Sequence, residues 1–359
     1  MKRAGALPVL LGLGVLALGF ELLNPNFLSP RNLSNLVLQI AAMGTIASGL
    51  VLVLLLGEID LSAGVVSGLG AAVMAVLDVR LGVPAPLALL GGVACGAAIG
   101  AFHGAWITRL GVPSFVVTLA GLLGWQGAML AVLGAQGTIN LDDPLLLGLM
   151  NVFLPKPLGI ALAVLSAFLL PKREKVPGGR MRGNATVALV LASIAITTVL
   201  LTLDRGVPLA LVLLLLTMAA LDFLVRRTRF GRHVLAIGGN AEAARRAGIH
   251  VERTRLAVFS LASALAAFGG ILAASLLRAV NQSSGSGDVL LNAIAAAVIG
   301  GTSLFGGRGR GWSALLGALV IGAISNGMDL LGFASPVKLM VTGAVLLLSV
   351  TVDAVARRK

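Results

Sequence analysis

Apolar stretches of membrane length occupy most of this chain. A helix needs about 20 apolar residues to cross the roughly 30 Å hydrocarbon core of a bilayer. With 58% hydrophobic and 11% charged residues, the 359-residue chain lies outside the range of soluble proteins. We therefore predict an all-α polytopic membrane bundle, a single transmembrane domain over 1–359 with about 12 crossings in a range of 10–12. The stretches cover about 5–23, 36–56, 63–81, 85–107, 113–134, 153–171, 185–203, 207–225, 256–277, 288–305, 312–327 and 337–353.

A polar segment, residues 226–255, sets the predicted orientation. It holds eight Arg against two Glu and cannot lie in hydrocarbon, and Arg-rich loops are retained in the cytoplasm. Because successive spans cross the membrane in opposite directions, both termini and the basic clusters at 172–182 and 308–310 are then predicted to lie inside. The segments 24–35, 135–152 and 278–287, which carry few positive charges, fall outside. Because no small-residue cleavage site follows the first apolar stretch, we expect it to be an uncleaved span.

A short helix is predicted inside this polar segment, over about 241–247. Asn240 is a favourable N-cap, Glu242 falls in the first turn, where the helix dipole favours an anion, and Gly248 suits the C-terminal stop. Glu242 and Arg246 are spaced to pair at i,i+4. Such a short helix needs packing partners, because it is unlikely to be stable alone. A small-residue face with arginines beside it is expected to meet a partner: Ala243, Ala244, Ala247, Arg245 and Arg246.

By composition alone, 226–255 is also compatible with an ordinary basic cytoplasmic loop. However, the run Gly239-Asn240-Ala241-Glu242-Ala243-Ala244 followed by Gly248-Ile249 resembles the coupling loop of permease subunits in ABC importers. The flanking runs 228–232 and 236–240 resemble the ribose/xylose branch of sugar permeases. The resemblance makes 226–255 the cytoplasmic coupling loop. It assigns docking on the ATPase to Gly239, Asn240, Glu242, Ala243, Ala244, Arg245, Arg246 and Gly248.

The resemblance further implies how the chain works. It implies a pore subunit in the bacterial inner membrane, paired with a second permease copy as a homodimer and with ABC ATPase subunits. It also implies an extracytoplasmic sugar-binding protein that delivers xylose or a similar monosaccharide. We expect the pore to alternate between inward and outward openings as ATP drives the 241–247 helix. The resemblance does not fix the sugar.

The segment 57–64, Gly-Glu-Ile-Asp-Leu-Ser-Ala-Gly, interrupts two apolar runs with polar residues. Acids at membrane depth usually face a pathway or a partner, but this segment is also compatible with a polar turn that meets water. It resembles the same family, and it shares G-x-x-x-L-x-x-G with 300–307, which is compatible with a parallel internal repeat or with chance. We predict that five residues of these segments line the translocation path near a cytoplasmic gate: Glu58, Asp60, Ser62, Thr302 and Ser303. The rival function is an ion-coupled secondary transporter that uses Glu58 and Asp60.

Other chemistries find little support in the sequence. No Lys completes a G-x-x-x-x-G-K-[ST] phosphate loop. We therefore expect that the chain is not an enzyme and that ATP is hydrolysed by a partner ATPase. We expect no cofactor, no metal site and no nucleic-acid partner. His103 lies beside a glycine ridge for which we predict tight helix packing, and it is expected to be packed or hydrogen-bonded. Three Trp and no Tyr argue against a tight sugar site within the membrane. The ridge comprises Gly92, Gly96, Gly100 and Gly104.

Overall fold

The computed structural model describes residues 7–169, 195 and 197–358. Its helices are α1 (Leu7–Leu23), α2 (Pro30–Leu55), α3 (Ala63–Ala75, continued by a π-helix Val76–Arg80), α4 (Ala85–Arg109), α5 (Ser114–Leu133), α6 (Pro144–Asn151), α7 (Lys156–Leu169), α8 (197–203), α9 (Leu209–Arg227), α10 (Arg229–Gly239), α11 (Ala241–Arg246), α12 (Val251–Leu277), α13 (Val289–Ile299), α14 (Ser313–Leu330) and α15 (Ser335–Arg358). The strands are β1 (Thr138–Asn140), β2 (Phe153–Leu154), β3 (Val207–Pro208) and β4 (Ala279–Asn281).

The described part of the chain is mostly helical and polytopic, as predicted. Within the described residues, seven helices are long and apolar enough to cross a membrane: α2, α3 with its π-helical end, α4, α5, α9, α12 and α14. Shorter apolar helices cover Val9–Leu23, Val289–Ile299 and Ser335–Leu348. The number of crossings, the side of the termini and the internal repeat stay predictions. The basic cluster at 172–182 and most of the stretch 185–203 lie outside the described residues.

Helix α12 forms the centre of the packing, against α2, α3 and α4. The glycine ridge of α4 permits this contact. A side chain at Gly96 would meet the carbonyl oxygen of Ser263, and one at Gly104 would meet the backbone of Leu256. The prediction of tight packing along the ridge is confirmed. Helix α2 is the most deeply buried of the candidate spans, and its Asn32 exchanges hydrogen bonds of 2.7 and 3.1 Å with Asn326 of α14.

Two short antiparallel strand pairs accompany the helices and were not predicted. Strand β1 pairs with β4, so that Ile139 lies opposite Val280, and β2 pairs with β3. The first pair joins the segments 135–152 and 278–287. Strands of two or three residues carry too little alternation to be read from sequence.

One predicted apolar stretch is only partly helical. The stretch 288–305 contains α13, which ends at Ile299, and the chain then runs without regular structure to α14 at Ser313. Gly301 takes a φ of +98° just after the helix, a conformation that glycine adopts readily. The end of α13 therefore reflects its glycines, although the apolar pattern continues.

Candidate functional site

Helix α11 is fixed at both ends by backbone and side-chain caps. The Asn240 side chain accepts a hydrogen bond from the Ala243 amide at 2.9 Å, which confirms the predicted N-cap. At the other end the Ile249 amide donates to Ala244 O at 3.1 Å, and the Gly248 amide donates to Arg245 O at 3.0 Å. These two bonds form a Schellman motif, in which the glycine takes the left-handed conformation. Gly248 has a φ of +82°, as that motif requires.

Ion pairs cover the exposed side of α11. Glu242 contacts Arg246 at 3.2 Å, the predicted i,i+4 pair, and also contacts Arg245 at 3.2 Å. Arg245 reaches on to Glu252 in the first turn of α12 at 3.1 Å. The hydrogen bond to Glu252, with the added charge of Glu242, raises the pKa of the Arg245 guanidinium above its usual value. Exposed pairs contribute little to stability, but this one ties α11 to α12.

The small residues of α11 do not form a single exposed face. Ala244 is 4% exposed and packs into the protein's own core, whereas Ala243 and Ala247 are exposed. Ile249 packs partly buried against the same core. The expectation that Ala244 meets a partner is therefore corrected: it anchors the helix to its own chain. The exposed side consists of Ala243, Ala247 and the charged residues.

Helix α10 precedes α11 and was not predicted. Thr228 caps it by accepting a hydrogen bond from the Gly231 amide at 3.2 Å. Its buried residues Gly231, Val234 and Ile237 are spaced at i, i+3 and i+6, which is a helical pattern. That spacing and the threonine cap were visible in the sequence, but the arginines between them read as a polar loop.

The end of α10 enters a contact of backbones that we call the glycine junction: Gly57, Gly238, Gly239, Gly306 and Gly307. A side chain at Gly238 would collide with the carbonyl oxygen of Leu55, the last residue of α2. The Gly307 amide donates to that same oxygen at 2.9 Å. Gly57 lies against the Phe305 and Gly306 backbone. The junction therefore brings together α10 and the two segments that share the G-x-x-x-L-x-x-G pattern.

The segment after α2 is a loop that is fixed by hydrogen bonds, and it contains a buried carboxylic acid, Asp60. The Asp60 Oδ1 accepts hydrogen bonds from the Ser62 amide at 2.8 Å and from the Ser62 hydroxyl at 2.6 Å. Helix α5 also fixes the loop, since Thr118 Oγ1 accepts a hydrogen bond from the Leu61 amide at 3.1 Å. Asp60 is 1% exposed and Ser62 is fully buried. The alternative in which both acids meet water is thus wrong for Asp60.

The remaining residues predicted to line the path are also enclosed. Glu58 pairs with Arg255 of α12 at 2.8 Å, with 14% of the Glu58 side chain exposed. Thr302 and Ser303 are 2% and 3% exposed in the loop after α13. The structure brings the two predicted segments together at the glycine junction, and in this conformation all five predicted path residues are buried or half-buried.

The buried side chain of His103 lies beside this loop. His103 is fully buried, and its Nε2 accepts a hydrogen bond from the Trp125 indole at 2.9 Å, which confirms the prediction of a hydrogen-bonded histidine. Among the described residues, Asp60 Oδ2 and His103 Nδ1 have no hydrogen-bond partner. No group of three metal-ligating side chains occurs in that part of the chain.

Comparison with known proteins decides the family. A family model described as the permease component of the branched-chain amino acid transport system matches residues 32–350. This chain belongs to that family. It is similar to the xylose transport system permease protein of Escherichia coli K12, with 38% identity over 346 residues that cover 93% of this chain and 87% of the relative. With the same protein of Haemophilus influenzae it shares 36% identity over 93% of this chain and 91% of the relative.

A ribose permease is similar as well. The ribose import permease protein of Bacillus subtilis is 34% identical over 96% of this chain and 91% of its own length. No solved structure matches the chain. The permease is thus of the ribose/xylose type, as the sequence motifs indicated, and its family and apolar helices make it a multi-pass inner-membrane protein. Family membership also makes it a transport component and not an enzyme.

Proposed function

We propose that this permease is the pore subunit of an ATP-driven importer that carries a monosaccharide, with xylose the first candidate. Its relatives with the highest quoted identity are xylose transport permeases, and a ribose import permease follows. We assign four partners: ABC ATPase subunits, an extracytoplasmic sugar-binding protein, a second copy of the permease as a homodimer, and the membrane.

The observation that carries the proposal is the capped helix α11. It is short, it displays Glu242, Ala243 and Arg246 to solvent, and Ala244 anchors it to the core. A helix of six residues is not stable by itself, yet here both ends are capped, which supports a role that requires a fixed shape. The residues 226–255 then act as the coupling loop, and ATP-driven closure of the ATPases displaces α11.

In this mechanism the loop after α2 and the loop after α13 act at the cytoplasmic gate. Displacement of α11 acts through α10 on the glycine junction and hence on the segments 57–62 and 300–311. Glu58, Asp60, Ser62, Thr302 and Ser303 are enclosed in the present conformation and become accessible when these segments separate. The transport cycle needs no catalytic residue in this chain, because ATP hydrolysis takes place on the partner.

The test is transport by a reconstituted system. Proteoliposomes containing this permease and its ATPase, with the binding protein on the outer side, should take up labelled xylose only when ATP is supplied to the ATPase. The permease alone should hydrolyse no ATP. Uptake that needs ATP and persists after an uncoupler dissipates the proton gradient supports the proposal. Uptake without ATP would refute it.

The ion-coupled alternative draws on one observation, the unpartnered Oδ2 of the buried Asp60. A buried carboxylate oxygen without a donor is costly, so this carboxylate is the candidate to bind a transported ion. Glu58 does not add to this alternative, because Arg255 already neutralises it. Under this alternative, xylose uptake without ATP collapses with an uncoupler, and D60N abolishes the dependence on the proton gradient.

A further inference from the structure

Residues 282–288, which we call the re-entrant segment, connect β4 to α13 without regular secondary structure. The Gln126 side chain of α5 donates a hydrogen bond to Gln282 O at 3.2 Å. Gln126 lies about 18 Å from the N-terminal end of a helix about 30 Å long, at 1.5 Å per residue. The segment then packs on the first turns of α3, where a side chain at Gly64 would lie 2.7 Å from the carbonyl oxygen of Gly285. The Gln126 contact places the start of the segment in the middle third of α5.

Irregular backbone at this depth is tolerated only where it faces protein or water. One side of the re-entrant segment faces protein, since Gly64 and Gly68 admit its backbone against α3. The other side is polar and accessible: Gln282, Ser283 and Gly287 are exposed, and Ser286 is half-buried. Exposed amide and hydroxyl groups in hydrocarbon would be costly. This side therefore faces water or another protein surface, and not lipid.

Two clefts adjoin the segment, which we call the deep cleft and the outer cleft. The deep cleft has a volume of about 130 Å³, and its lining includes the apolar residues Leu61, Val65 and Leu290 as well as Gln126 and Ser286. Leu61 belongs to the loop held by Thr118, so the loop that contains Asp60 borders the deep cleft. The outer cleft has a volume of about 290 Å³ and a lining of Gln136, Gly137, Thr138, Asn281, Gln282 and Ser283.

The lining matches the chemistry of a sugar. A monosaccharide presents hydroxyl groups at its edge and C–H groups on its faces, and the lining of the deep cleft combines an amide and a hydroxyl with leucine and valine side chains. No aromatic ring lines either cleft, so stacking would not hold the sugar tightly. Weak contacts suit a path that must release its substrate, when a separate binding protein supplies the affinity.

We propose that the re-entrant segment and Gln126 form the substrate-contacting part of the translocation path, with Gln126 and Ser286 hydrogen-bonding to sugar hydroxyls. This inference rests on the proposed function and adds to it the place where the substrate touches the pore. It also puts the contact site beyond the loop that contains Asp60, so that the outer cleft is the entrance and that loop closes the inner end.

Cysteine labelling tests whether the segment lines water. In a C95A background, S283C and S286C are compared with L216C, since Leu216 is 61% exposed in the middle of α9 and so serves as a lipid-facing control. Each variant is assembled with ATPase and binding protein and treated with a charged, membrane-impermeant thiol reagent. We expect S283C and S286C to react at least about tenfold faster than L216C, because thiolates form in water.

Two labelling results would overturn the inference. S286C reacting as slowly as L216C, with and without ATP trapped on the ATPase, would mean that the segment faces lipid or protein. Oxidant-induced disulfides between S283C residues of two permease copies, without reagent access, would make the segment an interface between copies. This labelling does not depend on the sugar, so it remains informative if the transporter moves no xylose and the proposed function fails.

A transport measurement tests the sugar contact. Q126L and S286A should lower the xylose moved per ATP hydrolysed by about fivefold, the factor that one lost hydrogen bond contributes. ATP hydrolysis stimulated by the binding protein should stay within about twofold of wild type, and Q126N should retain part of the transport. Q126L and S286A transporters that both keep the wild-type ratio of xylose to ATP would refute the assignment.

Discussion

Replacing Gly248 by valine isolates the contribution of the α11 cap. Gly248 has a φ of +82°, and no atom lies within 4 Å of the position its Cβ would take. The change therefore introduces backbone strain without a clash. The left-handed conformation costs an L-residue about 1–2 kcal/mol, with a β-branched side chain at the upper end. At about 1.4 kcal/mol per factor of ten, the capped form of α11 falls roughly 5- to 30-fold relative to uncapped forms.

Because docking on the ATPase requires the capped form in our proposal, G248V should weaken ATPase binding by up to about tenfold, since the apparent affinity falls with the fraction of permease in the capped form. The assay is titration of the purified ATPase onto proteoliposomes that contain equal amounts of inserted permease. Xylose uptake at subsaturating ATPase should fall by the same factor. G248N should stay within about threefold of wild type, because asparagine tolerates the left-handed region.

A second control lies outside the coupling loop. Gly332 also has a positive φ, +71°, and open space around its Cβ position, so G332V carries the same kind of strain and should leave ATPase binding unchanged. If G248V bound the ATPase and transported xylose as well as G248N and G332V do, the capped shape of α11 would be irrelevant to coupling. The docking surface would then have to be sought elsewhere in 226–255.

Three further predictions concern the same region. E242K should reduce ATPase binding more than E242Q does, because it adds like-charge repulsion with Arg246 to the loss of the ion pair; equal effects in the titration would exclude a charge contribution. G238A should impair uptake while G343A in α15 does not, because only the first side chain would collide with a neighbour, Leu55 O; equal uptake by both variants would argue against the glycine junction. In a C95A background, S62C should be protected from an impermeant thiol reagent and become reactive when ATP is trapped on the ATPase, and the same reactivity in every state would assign Ser62 to a static turn.

Much of the coupling region could be predicted because its signals are local. Asn240, Glu242 and Gly248 act on amides and carbonyls within a few residues, so the predicted helix at 241–247 and the observed Ala241–Arg246 differ by one residue. The membrane helices follow in the same way from the length of their apolar runs. The family followed from the order of motif residues between 228 and 249, and the matching family model confirmed it.

Contacts between distant segments could not be predicted from the sequence. The burial of Asp60 depends on α5, whose Thr118 is 58 positions away, and the burial of Ala244 depends on the core beneath α11. The re-entrant segment is a clearer case. Its serines and glycines between 283 and 287 read as an outer loop by composition, and only the small residues Gly64 and Gly68 of α3 allow it to pack closely against that helix.

The glycine junction gives α11 a stiff connection to the loop after α2 and to the loop after α13. Gly238 and Gly307 meet Leu55 O backbone to backbone, so no flexible side chain lies between α10 and the end of α2 to absorb a displacement. On the other side, Arg245 links α11 to the start of α12, the helix against which α2, α3 and α4 pack. A displacement of α11 by the ATPase would therefore reach the loop that contains Asp60 and the loop after α13 together. Since the Asp60 loop also borders the deep cleft, one movement would change both the gate and the proposed sugar contact.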